Sequence, residues 1–65
     1  MLELEMDLLT ENHLGKHVKL VTPYEEIAGV LTDFYGSFDE NEAVVIVEIN
    51  DEAYSCNGEE QLFLL

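Results

Sequence analysis

From Lys16 to the C-terminus, apolar residues recur at every second position in short runs, and each run is cut by proline, glycine or asparagine. A period of two sends alternate side chains to opposite faces of an extended backbone, so the pattern demands strands joined by tight turns. Lys16 to Thr22 places Val18 and Leu20 on one face and His17, Lys19 and Val21 on the other. Pro23 ends that run, and Thr22-Pro23-Tyr24-Glu25-Glu26 has proline where a turn favours it. Ile27 to Tyr35 is the second strand, in which Gly29 permits a bulge or bend. Gly36 to Asn41 reads as a polar loop. Ala43 to Ile49 is apolar on both faces, with Ala43, Val45, Val47 and Ile49 on one and Val44 and Ile46 on the other. After a turn at Asn50-Asp51-Glu52, Ala53 to Cys56 forms a short strand. Asn57-Gly58 is the favoured two-residue hairpin signal, and Glu60 to Leu65 returns as the last strand.

Ahead of this domain, Leu2 to Leu8 alternates apolar and acidic residues in the manner of a half-buried strand. Leu, Glu and Met are also good helix formers, and Leu2, Met6 and Leu9 fit a helical stripe. The segment 1–13 is therefore read as strand or short helix, and 14–65 as the folded body of one 65-residue domain. Five short strands with tight turns and a glycine in the long second one describe a mainly β fold, a small, strongly bent antiparallel barrel.

Leu14-Gly15-Lys16-His17-Val18-Lys19-Leu20, then Ile27-Ala28-Gly29-Val30-Leu31, then Phe34 and Phe38-Asp39, resemble the first half of the Sm-like fold. The resemblance implies a short N-terminal helix before a five-stranded barrel, and assembly into rings. It does not extend to the family's RNA pocket. Ala43 stands where an asparagine would follow the loop aspartate, and no Arg-Gly pair occurs near the last hairpin.

Charge restricts the partner. Fifteen acidic residues face only Lys16 and Lys19, for a formal net charge of −13. Such a surface repels nucleic acid and anionic lipid, and it steers basic proteins or cations toward itself. Nine acids fall between Asp33 and Glu60 with no base among them. Of these, Asp33, Asp39, Glu40, Glu42, Asp51, Glu52, Glu59 and Glu60 are the candidate partner-binding residues, and many of them fall in loops or beside turns. Tyr24, Tyr35, Tyr54, Phe34, Phe38 and Phe63 could stack on bases, but a base-stacking platform needs a cationic track that this chain lacks. They are read as packing residues.

Catalysis has no visible machinery, and no enzyme is expected. His13 and His17 share a helical face only if Gly15 is ignored, and Cys56 would be the sole soft ligand with them, so no metal site and no cofactor are assigned. Asp39-Glu40-Asn41-Glu42 and Asn50-Asp51-Glu52 lack the spaced acids and central glycine of a calcium loop. Cys56, set among acids, is read as a core or edge residue.

One cysteine excludes an internal disulfide and fits a reducing compartment, so the expected location is cytoplasmic. No stretch has the length of a membrane span and the N-terminus is acidic, so no membrane partner and no export are expected. A chain of this size buries only about 60% of its unfolded surface. Self-association is then the remaining staple, and Val44, Ile46, Leu62 and Leu64 are its candidate contacts.

The leading expectation is an acidic protein-binding module that docks on a basic surface, for instance a nucleic-acid-mimicking inhibitor or immunity protein from a phage or mobile element. The alternative is a self-assembling Sm-like or phage structural subunit with no basic client.

Overall fold

In the computed structural model, which describes all of residues 1–65, six strands follow the order β1 (Leu2–Leu4), β2 (His17–Val21), β3 (Glu26–Asp39), β4 (Glu42–Ile49), β5 (Glu52–Cys56) and β6 (Gln61–Leu64). They form one antiparallel sheet with spatial order β1-β6-β2-β3-β4-β5. β3 belongs to both halves of this sheet. Its first residues pair with β2, Leu20 opposite Ile27 and Val18 opposite Gly29. Its later residues pair with β4, from Leu31 opposite Ile49 to Asp39 opposite Glu42.

The sheet folds over at β3, and the inner faces of the two halves share one core. Leu4, Val18, Leu20 and Leu62 come from the β1-β6-β2 half, and Val47, Ile49 and Cys56 from the β4-β5 half, with Leu31 at the corner. No polar or charged residue is buried. Full burial of an aliphatic side chain is worth about 1.5–3 kcal/mol, so the period-two pattern of β2, β4 and β6 sets both the fold and its register.

Several sequence expectations need correction. The barrel is not closed, because β1 and β5 are free edges with no ladder between them. The outer side of β6, where β5 would have to dock, is taken by β1, with Leu2 opposite Leu64 and Leu4 opposite Leu62. Residues 2–9 are thus part strand, and Met6–Leu8 and Glu11–His13 are single 3-10 turns rather than the short helix that the resemblance implied. Thr10 caps the second turn, accepting the Asn12 N–H at 3.3 Å, while its own N–H donates to His13 Nδ1 at 3.0 Å.

The expected loop at 36–41 is instead the end of a 14-residue β3. Gly36, Ser37, Phe38 and Asp39 are exposed, so ladder bonds to β4 rather than burial hold them. Only Glu40 and Asn41, at φ 49° and 70°, make the turn. Asn50 and Asp51, at φ 53° and 67°, make the next one. Positive φ at both central residues matches the right-handed twist of the flanking strands.

Asn57-Gly58 is not a hairpin. β5 and β6 lie at distant places in the sheet, and residues 57–60 carry the chain across to β2. That loop is held locally, by Asn57 N–H to Glu60 Oε1 at 2.9 Å and Glu59 N–H to Asn57 Oδ1 at 3.4 Å.

The bulge lies between Leu31 and Asp33, not at Gly29. Thr32 fills the gap in the ladder. Its hydroxyl donates to the Glu48 carbonyl at 3.1 Å and accepts the Asp51 N–H at 3.0 Å. Gly29 serves a different purpose: the Asn50 amide lies over it, and a Cβ there would come within 2.7 Å of Asn50 Cγ. From that position Asn50 Oδ1 accepts the Val30 N–H at 3.0 Å, and the Asn50 N–H donates to the Val30 carbonyl at 2.9 Å. No helix is long and apolar enough to cross a membrane.

Candidate partner-binding face

Both lysines and both histidines precede β3 in the chain, His17 and Lys19 lying on β2 itself. Lys19 Nζ lies 3.2 Å from Glu26 Oε1 in the only ion pair of the molecule. Residues 31–56, which build the later part of β3 with β4 and β5, carry seven acids and no base. The fold therefore divides the charge into a mixed half and a purely acidic half.

Register sets how the acids of that half meet. Alternation from the core residues Val47 and Ile49 sends Asp33, Tyr35, Ser37 and Asp39 of β3 outward, with Glu42, Val44, Ile46 and Glu48 of β4. Asp33 stands opposite Glu48 and Asp39 opposite Glu42. Like charges directly opposite across two strands oppose folding, by about 0.2–1 kcal/mol for a pair. The two pairs are six residues apart along β3, about 20 Å at 3.3 Å per residue. Between them lie Tyr35, 45% exposed, and the half-buried Ile46 opposite it.

The eight acids expected from the sequence do not form one patch. Asp33, Asp51 and Glu52 gather at one end of the half-sheet, where Asp51 N–H bonds Thr32 at the bulge. Asp39, Glu40 and Glu42 surround the turn at the other end. Glu59 and Glu60 lie in the crossing loop. Sequence reading missed Glu48, because it sits within an apolar run, and Glu25, because it precedes the base-free run from Asp33 to Glu60. Partial burial, then the charges of Glu48 and Asp33, push the Tyr35 hydroxyl above its ordinary value of 10.0. Tyr54 is also raised, first by its hydrogen bond to Glu52 Oε2 at 3.0 Å and then by partial burial and the charges of Glu52 and Glu25. Negative charge contributes to both shifts, behind partial burial for Tyr35 and the Glu52 hydrogen bond for Tyr54.

The candidate self-association residues are dispersed. Leu62 is fully buried in the core of the single chain, and Leu64 packs against that core opposite Leu2. Val44 is buried apart from the core cluster, and Ile46 is half-buried on the outer face.

The groups that could do chemistry are separated. His13 is held in the Thr10 cap, His17 is exposed on β2, and Cys56 is buried. No three potential ligands converge on a point that could hold a metal. Burial, and secondarily Glu60, pushes the Cys56 thiol up to about 11, so the nucleophilic thiolate is suppressed at neutral pH. No family model, curated protein or solved structure matches the chain.

Proposed function

We propose that this protein is a binding module whose acidic half, β3 from Leu31 onward with β4 and β5, docks on a basic surface of another protein. The observation that carries the reading is the segregation of charge: seven acids and no base on one half-sheet, including two directly opposed like-charge pairs. A free chain gains nothing from such pairs, whereas a cationic partner placed over them relieves their repulsion. The narrower form of the proposal is a nucleic-acid mimic, an inhibitor or immunity protein of a phage or mobile element that occupies a nucleic-acid-binding cleft. A reducing, cytoplasmic setting fits the free Cys56 thiol.

The test is capture from the native host with wild-type protein and with a variant carrying Asp33→Asn, Asp39→Asn, Glu42→Gln and Glu48→Gln. Expected is a basic client held by wild type, lost from the variant and eluted by salt. Release of that client by competing nucleic acid supports the mimic. A client of neutral or acidic surface, or equal capture by both proteins, overturns the reading.

Self-assembly is the second reading, supported by Tyr35 and Ile46 on the outer face. An Ile46→Asp variant that shifts the light-scattering mass to monomer favours it, and a wild type that is monomeric at high micromolar concentration removes it.

A further inference from the structure

The hairpin joining β4 to β5 fixes which backbone groups of β5 are satisfied. In a two-residue hairpin the residues flanking the turn, here Ile49 and Glu52, form a hydrogen-bonded pair, and bonded and non-bonded pairs then alternate. Glu52, Tyr54 and Cys56 therefore bond to β4. Ala53 and Ser55 instead direct their N–H and C=O groups away from β4, across the free edge of the sheet.

Edge strands are usually blunted by proline, lysine, a bulge or a covering segment. β5 has no proline, lysine or bulge: it pairs with β4 through five residues without a shift in register, and no strand lies beyond it. Ala53 and Ser55 are exposed, and their small side chains leave the free groups open to approach. The opposite edge differs, since β1 has only three residues. Charge decides what fits on β5. Glu48 stands opposite Ala53, Asp51 and Glu52 precede it, and the charge of Glu25 reaches Tyr54. A second copy would bring the same acids and a further net charge of −13 to the same edge.

We infer that the free edge of β5 takes an extended, basic segment of the partner as an added strand, with main-chain bonds to Ala53 and Ser55 and lysine or arginine side chains facing the surrounding acids. This inference rests on the proposed docking of a basic partner and specifies how the contact is made.

The test uses the full chain and a synthetic heptapeptide of alternating lysine and valine, with a second peptide of the same sequence N-methylated at alternate residues. Affinity is read by calorimetry, and protection of individual amides by hydrogen exchange. Expected are protection of the Ala53 and Ser55 amides by the first peptide and at least about tenfold weaker binding of the methylated one, because edge addition relies on main-chain bonds. Ser55→Pro should weaken the first peptide similarly while the protein stays folded, since proline is tolerated where an edge N–H faces solvent. Equal binding of the two peptides, or protection elsewhere, overturns the edge inference and leaves docking by charge standing. The same holds if the heptapeptide fails to bind while a basic client is captured. Protection of Ala53 and Ser55 that rises with protein concentration alone assigns the edge to a second copy and likewise overturns it. Failure to capture any basic client strikes the underlying proposal instead.

Discussion

Gly29→Ala is a small change whose consequence is decided by what lies over the glycine. The new Cβ would come within 2.7 Å of Asn50 Cγ and 2.8 Å of Oδ1, so the exposed Asn50 side chain must swing away. It then abandons the Val30 N–H, which it holds at 3.0 Å. Loss of a hydrogen bond at this exposed position, where water can replace Asn50, costs about 0.5–1.5 kcal/mol. Against this, replacing glycine by alanine restricts the unfolded chain and returns about 0.4–1 kcal/mol. The net expectation is a modest destabilisation, at most about 1 kcal/mol.

Asn50→Gly supplies the control. It keeps a residue that tolerates φ 53° and removes the amide that collides. In the Asn50→Gly background, Gly29→Ala should therefore become neutral or stabilising. Urea unfolding of the four proteins, with equal slopes, should give a coupling energy of about 0.5–1.5 kcal/mol. An equal loss from Gly29→Ala in both backgrounds would refute the close-approach account and return Gly29 to a role in backbone bending.

Three further outcomes follow from the same structure. Thr32→Val keeps the shape at the bulge but removes a donor to Glu48 and an acceptor for Asp51; chemical denaturation should show a loss of about 1–3 kcal/mol, larger than for Thr22→Val in an exposed turn. The Cys56 thiol is raised from 9.0 to about 11 in the folded state, so its contribution to stability is complete below pH 9 and is lost as pH rises toward 11. Thermal unfolding should then show the wild type's advantage over Cys56→Ala shrinking across that window, and a constant difference would contradict it. Finally, melting temperature should rise between low and about 0.15 M sodium chloride, where the Debye length falls to about 8 Å; a flat or falling trend contradicts net repulsion among the acids.

What the sequence made legible follows the physics of each element. Val18, Leu20, Val47, Ile49 and Leu62 alternate with exposed or half-exposed neighbours, so burial of one face marks the strands directly. The turns are harder, because positive φ is favoured in asparagine and glycine but not confined to them. Glu40-Asn41 and Asn50-Asp51 make the tight hairpins, while Asn57-Gly58, the stronger local signal, lies in a crossing loop. A dipeptide carries no information about which strands are neighbours. The bulge at Thr32 has no signal of its own, since its hydroxyl acts only once Glu48 and Asp51 arrive from β4 and the turn after it. The division of charge was visible as a run without bases, but the opposition of Asp33 to Glu48 required the register, which that same bulge shifts.

The most direct check of the central claim is the unfolding free energy of the variant Asp33→Asn, Asp39→Asn, Glu42→Gln and Glu48→Gln, measured in urea at low and at high salt. The Asn at position 33 keeps the acceptor that Asp33 Oδ1 offers to the Phe34 N–H at 2.8 Å, so the comparison isolates charge. If the opposed acids are held for a partner rather than for the fold, the variant is more stable than wild type at low salt by about 0.4–2 kcal/mol, two pairs at 0.2–1 each, and the gap narrows at about 1 M salt. A variant that is less stable than wild type at low salt would show that these carboxylates serve the fold itself, and would contradict the account.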